Sequence, residues 1–235
     1  PLIVTRAGAS TVLNAARLSL GGGTVTASGS LEPTLKVDAA VVGLPAAFLN
    51  RFAADLGAEG RIDAKASATG TLADPRVAWS VTWAGMSLAA LKEARLPTFQ
   101  ISGSGDATLK ATTLDARITG PSLSFTVAGK APLGAGSLDL KANGRVPMAL
   151  AAARMGREVR ATGGADLAIA ITGSAAAPAL NGAATLVDVS IADAATGLGV
   201  RGVGGRIQFD GVTATVDGVS GQLAQGGRFT VSGPI

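Results

Sequence analysis

An all-β fold, built as a long, repetitive antiparallel sheet, is predicted by three features of the sequence. Apolar and small polar residues alternate through most of the chain. Glycine clusters interrupt that alternation at short intervals. Of 235 residues, 33 are glycine and only 3% are aromatic, so burial must rest on Val, Leu, Ile and Ala. A period of two puts successive side chains on opposite faces only when the chain is extended. Glycine reaches the positive φ values that tight turns need.

The strands can be read in order. Val77, Trp79, Val81 and Trp83 alternate with Arg76, Ser80 and Thr82. Leu123, Phe125 and Val127 alternate with Ser122, Ser124 and Thr126, and Leu167, Ile169 and Ile171 with Asp166, Ala168 and Ala170. Ile207 and Phe209 alternate with Arg206, Gln208 and Asp210, and Phe229 and Val231 with Arg228, Thr230 and Ser232. The clusters Gly21–Gly23, Gly103–Gly105, Gly163–Gly164, Gly204–Gly205 and Gly226–Gly227 divide the runs, at the roughly 8–12-residue spacing of an antiparallel meander. Two segments read as helix instead. In Pro45–Leu56 the residues Phe48, Phe52 and Leu56 fall on one stripe, with Pro45 in the first turn and Gly57 as a stop. Pro147–Val159 puts Met148, Ala152, Met155 and Val159 on a similar stripe, with Gly156 inside it.

The chain also repeats itself. Gly60, Asp63, Thr69, Gly70 and Pro75 recur 103 residues later as Gly163, Asp166, Thr172, Gly173 and Pro178. Phe125–Gly129 recurs as Phe229–Gly233, and Val25–Gly29 is a plausible earlier copy. Such a period is the mark of a repeat architecture. The expected organisation is one elongated segment over 1–235, with repeats at roughly 29–129 and 130–233. A start at Pro1 and a stop just after a strand-like run lead us to expect a piece of a longer chain.

Composition removes most chemistry. There is no His, Cys or Tyr, so the commonest general base, thiolate ligands and tyrosine catalysis are missing. Asp63 and Asp166 recur with the fold, which marks them as structural; no enzyme, cofactor or metal site is expected. Gly103–Gly105 and Gly202–Gly205 complete no phosphate-binding motif and read as turns. Net charge is +4 without a basic run, which gives no support for nucleic acid as a partner. No apolar run approaches the roughly 18 residues of a membrane-spanning helix.

The faces therefore carry the functional argument. A sheet of roughly 18 strands must curl, split or close, and an apolar face left in water costs roughly 25 cal/mol per Å². It can pack as a sandwich, insert in an outer membrane as a barrel, or curl into a gutter that holds apolar ligand. A membrane barrel needs aromatic girdles, which this chain lacks. Several strands put only alanine inside (Ala64, Ala66 and Ala68), which suits a gutter for thin chains such as lipid tails.

Gly43–Leu56 (GLPAAFLNRFAADL), Gly60 to Gly70 with Thr71–Arg76 after it, Ala195–Gly211 (ATGLGVRGVGGRIQFDG) and Gln225–Gly233 (QGGRFTVSG) resemble the repeat unit of the TamB family, the inner-membrane component of the bacterial translocation and assembly module. The resemblance covers nearly the whole chain, through soft motifs in a distinctive order. It implies an AsmA-like, bridge-like lipid-transfer architecture: a taco-like β groove with an apolar interior, anchored in the inner membrane and spanning the periplasm. It also implies phospholipid as cargo and a TamA-like outer-membrane barrel as partner. The expected groove residues are Val77, Trp79, Val81, Trp83, Leu123, Phe125, Val127, Leu167, Ile169, Ile171, Ile207, Phe209, Phe229 and Val231, along one continuous channel. Arg76, Lys65, Asp166 and Arg228 should face water. The alternatives are a scaffold that assembles outer-membrane strands by β-augmentation and a passenger solenoid with a filled core.

Overall fold

The computed structural model describes residues 3–8, 10–93, 96–121, 123–155 and 158–235. Strands take up most of them. In chain order they are β1 (Ile3–Ala7), β2 (Ser10–Leu20), β3 (Gly23–Glu32), β4 (Leu35–Pro45), β5 (Glu59–Gly70), β6 (Pro75–Ser87), β7 (Phe99–Ala107) and β8 (Ala111–Gly120). There follow β9 (Leu123–Pro132), β10 (Ser137–Pro147), β11 (Val159–Ser174), β12 (Ala177–Asp193), β13 (Gly199–Gly211), β14 (Thr213–Leu223) and β15 (Arg228–Pro234). The sheet order is the sequence order, and β1 and β15 do not pair with each other. Fifteen strands replace the expected 18 because several are long; β11 has 16 residues and β12 has 17.

Two compact units emerge from the contacts. The first comprises Pro1–Leu88, Thr98–Arg117 and Gly129–Ala135; the second comprises Ala89–Pro97, Ile118–Ala128 and Gly136–Ile235. The similar stretches of sequence fall on equivalent strands. Gly60 to Gly70 lies in β5 and Gly163 to Gly173 in β11; Pro75 opens β6, and Pro178 lies at the start of β12. One repeat is thus six strands.

The helix expected over 45–56 is instead two short 3-10 turns, Ala46–Arg51 and Ala54–Leu56. The stripe does not form, because Phe52 and Ala53 separate the turns and Phe52 is left 79% exposed. Phe48 meets the ring of Phe52 edge-on at 5.8 Å, and the Arg51 guanidinium sits 5.5 Å from the Phe48 ring centre. Asn50 ties the connection down: its Nδ2 donates to the Ala58 carbonyl at 3.2 Å, and its Oδ1 accepts the Ala58 N–H at 2.7 Å. The second expected helix is shorter than 147–159. It is α2 (Ala149–Met155), preceded in the chain by an unexpected α1 (Ala89–Glu93). Gly156 of that expected helix and Ser122 of the alternation lie outside the described residues.

Strict alternation is broken at regular places. The ladders shift register between Val41 and Leu44, Trp83 and Met86, Leu186 and Val189, and Val216 and Val219. Each shift puts an extra residue on one strand, a β-bulge, so two apolar residues three apart face the same way. The extra turn needs positive φ, supplied by Gly43 (65°), Gly85 (62°), Gly218 (61°) and Asp188 (49°). An antiparallel meander puts every even-to-odd connection at one end of its strands. In the first unit the β4 and β6 bulges and the 3-10 turns lie toward that end of their strands; in the second unit the β12 bulge and α2 do, whereas the β14 bulge lies mid-strand.

At two of these bulges a side chain from the next strand satisfies the N–H. Asp63 Oδ1 accepts from Gly43 at 2.7 Å, and Ser232 Oγ accepts from Gly218 at 3.1 Å. Asp63 thus has an assigned structural role. Asp63→Ala should cost about 1–3 kcal/mol by orphaning a partly buried N–H. Asp63→Asn, which keeps an oxygen there, should cost less. Urea unfolding of the two variants measures the difference, and equal losses would refute this role for the carboxylate.

Candidate functional site: the apolar face

Cross-strand partners in an antiparallel ladder share a face, so the registers assign the faces without appeal to sequence. In the first unit Val77, Trp79 and Val81 oppose Ala68, Ala66 and Ala64, and Trp83 opposes Ile62. Those alanines oppose Val37, Ala39 and Val41 of β4, which oppose Gly29, Ala27 and Val25 of β3. On the other side, Val81 and Trp79 oppose Gly103 and Gly105. The Trp79 indole crosses this glycine strip, 3.1 Å from where a Cβ on Gly105 would lie, and its Nε1–H donates to Thr112 Oγ1 at 2.9 Å. The Trp83 indole N–H donates to the Glu59 carbonyl at 2.8 Å. Both indoles lie down with their polar atom satisfied, which gives a flat apolar surface.

The second unit is built alike. Leu167, Ile169 and Ile171 oppose Gly144, Ala142 and Leu140 of β10, and Ala184, Gly182 and Leu180 of β12. Gly182 and Ala184 oppose Phe209 and Ile207, and Ile207 opposes Val216. A Cβ on Gly144 would meet Phe125, so Phe125, with Leu123 and Val127, shares the face of Leu167. Beyond the β14 bulge, Val231 opposes Val219 and Phe229 opposes Gly221. The Phe229 ring lies 3.1 Å from where a Gly221 Cβ would be. Each unit therefore gathers its share of the expected residues on one face. Arg76, Lys65, Asp166 and Arg228 are all exposed. Asp166 lies 4.0 Å from Arg145 on the polar side, a surface pair worth little.

Burial separates this face from an ordinary core. Of the fourteen expected residues, Leu123 is buried, Val231 is 49% exposed, and the other twelve are half-buried. Within neither unit does a second sheet cover the face, because all the described strands belong to one sheet.

Hollows add detail that the sequence did not announce. In the first unit a depression of about 520 Å³ opens on the polar face, among Thr26, Ser28, Asp38, Lys65, Ser67 and Ser80. A twisted sheet is saddle-shaped and hollow on each face along one diagonal, so the polar hollow coexists with the apolar face. In the second unit a hollow of about 490 Å³ lies beside Leu123 and Arg145. Another, of about 450 Å³, is lined by Ile191, Leu198, Val200 and Leu223, with Asp193, Thr196 and Gln225 also in its wall. The Asp193 carboxyl is held below its usual range by the Thr196 hydroxyl and the Ala195 N–H. The hollow by Ile191 escaped sequence reasoning because no alternation runs through Asp193–Leu198. The signal available was two large apolar residues, Leu198 and Leu223, beside turns.

No family model, curated protein or solved structure matches this chain. Among the described residues no cluster of three metal-ligating side chains occurs, and no helix is long and apolar enough to cross a membrane.

Proposed function

We propose that this chain is a segment of a lipid-transfer conduit of the TamB-like, AsmA-like class. In this reading phospholipid acyl chains lie along the apolar β face, which curls into a groove, and travel between inner and outer membrane. The protein works in the periplasm of a Gram-negative bacterium, anchored in the inner membrane through a part outside this segment. A TamA-like outer-membrane barrel is the partner of the longer protein. The observation that carries the reading is the half-buried apolar face, continuous from strand to strand within each unit and covered by no second sheet. Leaving such a face in water is costly, and an apolar cargo relieves that cost where no second sheet does. The face is chemically bland, which suits passage of many similar chains.

The test is native purification followed by mass spectrometry of bound lipid, combined with photo-crosslinking from positions 79 and 169. Phospholipid crosslinked at both positions is the expected result. Absence of lipid at both positions, with affinity for unfolded outer-membrane strands, would replace this reading with the β-augmentation scaffold.

A further inference from the structure

We propose that the hollow between the even-to-odd ends of β12, β13 and β14 is a discrete site for one alkyl chain of an amphiphile with a cationic, ammonium-type head. This deepens the lipid reading and rests on it.

The walls come from the ladder itself. Ile191 opposes Val200, and Val200 opposes Leu223, so three adjacent strands contribute one apolar side chain each. Leu198 completes the wall from the β12–β13 turn. Leu198 is 59% exposed and Leu223 is 44% exposed, so a chain in the hollow would remove apolar surface from water on both sides. A volume of about 450 Å³ lies within the usual range for a small-molecule site and is too small for a whole diacyl lipid.

The polar groups are few and of one sign. Asp193 is the only charged residue in the wall; Thr196 and Gln225 are the other polar ones. The Asp193 carboxylate is fixed in place: Oδ1 accepts the Ala195 N–H at 2.9 Å, and Oδ2 accepts the Thr196 hydroxyl at 2.7 Å. Each oxygen keeps a lone pair for a further donor. The Arg201 guanidinium lies 3.5 Å from the Ala224 carbonyl, outside the wall. An apolar slot beside one fixed anion selects an alkyl chain with a positive head over one with a negative head.

The experiment titrates the protein with decylammonium and decanoate below their micellar concentrations and with decanol below its solubility limit. Methyl NMR shifts of Ile191, Leu198, Val200 and Leu223 are the readout. Decylammonium should move these methyls and bind about five-fold more tightly than decanol, the effect of one exposed charge pair. Decanoate should bind more weakly than decanol. Asp193→Asn should bring decylammonium down to the decanol affinity. Leu198→Ser, at an exposed turn position where folding is not at stake, should weaken all three. Equal affinities for the three probes in the parent protein would overturn the head-group preference while leaving the conduit reading intact. Shifts confined to other methyls would overturn the site itself. Loss of the conduit reading would appear separately, as absence of lipid crosslinked at positions 79 and 169.

Discussion

Ile169→Asp is expected to leave a folded β protein that no longer carries lipid. Ile169 faces Ala142 on one side and Gly182 on the other, and it is half-buried with no second sheet above it. The carboxylate would keep much of its water, so the loss in stability should be about 1–2 kcal/mol, the share of an isoleucine's burial forfeited. An acyl chain over the same spot would have to strip that water, at a cost of several kcal/mol, and each 1.4 kcal/mol is a factor of ten. Co-purified phospholipid should therefore fall more than ten-fold. Val81→Arg should behave alike in the first unit. Lys65→Asp, on the opposite face, should leave lipid content unchanged. Circular dichroism and lipid mass spectrometry on the same preparations decide the matter. Unfolding by Ile169→Asp would mean a closed core. Normal folding with normal lipid content would mean that this face is not the path.

Gly182→Ala should do the reverse, breaking the sheet rather than the cargo site. Gly182 sits at φ 136° between Ile169 and Phe209. A Cβ there would overlap the Ala168 carbonyl oxygen on the neighbouring strand. Backbone strain and steric displacement each cost about 1–3 kcal/mol, so the loss should be roughly 2–6 kcal/mol. Thermal melting measures it. Gly226→Ala provides the contrast, because nothing lies within 4 Å of its would-be Cβ although φ is 100°; only the strain applies. Equal losses at the two sites would show that the close approach at Gly182 is not what requires glycine.

The face assignment was legible in the sequence because period two needs no tertiary information. Trp79 and Val81 point as their neighbours Ser80 and Thr82 require, and the ladders agree. What escaped was whatever adds a residue to the count. Val41-Val42-Gly43-Leu44 and Val216-Asp217-Gly218-Val219 read as interrupted alternation, yet each is a bulge that keeps both flanking apolar residues on one side. The cue is a glycine one residue ahead of an apolar position that falls out of phase. The expected helix at 45–56 failed for another reason. Its Phe48–Phe52 pair has helical spacing, but a stripe helps only where a surface receives it, and Phe52 faces solvent. The register between strands does not follow from alternation within any one of them. It is seen in glycine–aromatic pairs such as Gly105 with Trp79, which no single strand reveals.

Six strands per repeat is an even number, and parity has a consequence. Adding or removing an even number of strands returns the chain to the same end of the sheet, heading in the same direction. Within each unit the connections that carry helical turns stay at one end, and the apolar side stays the same side. An odd insertion would send the chain on from the opposite end and put every later helical connection on the wrong border. Length in such a molecule can thus change in steps of two strands with no redesign, whereas a single-strand change is a frameshift in space. A lineage needing a longer or shorter span has only to count in twos.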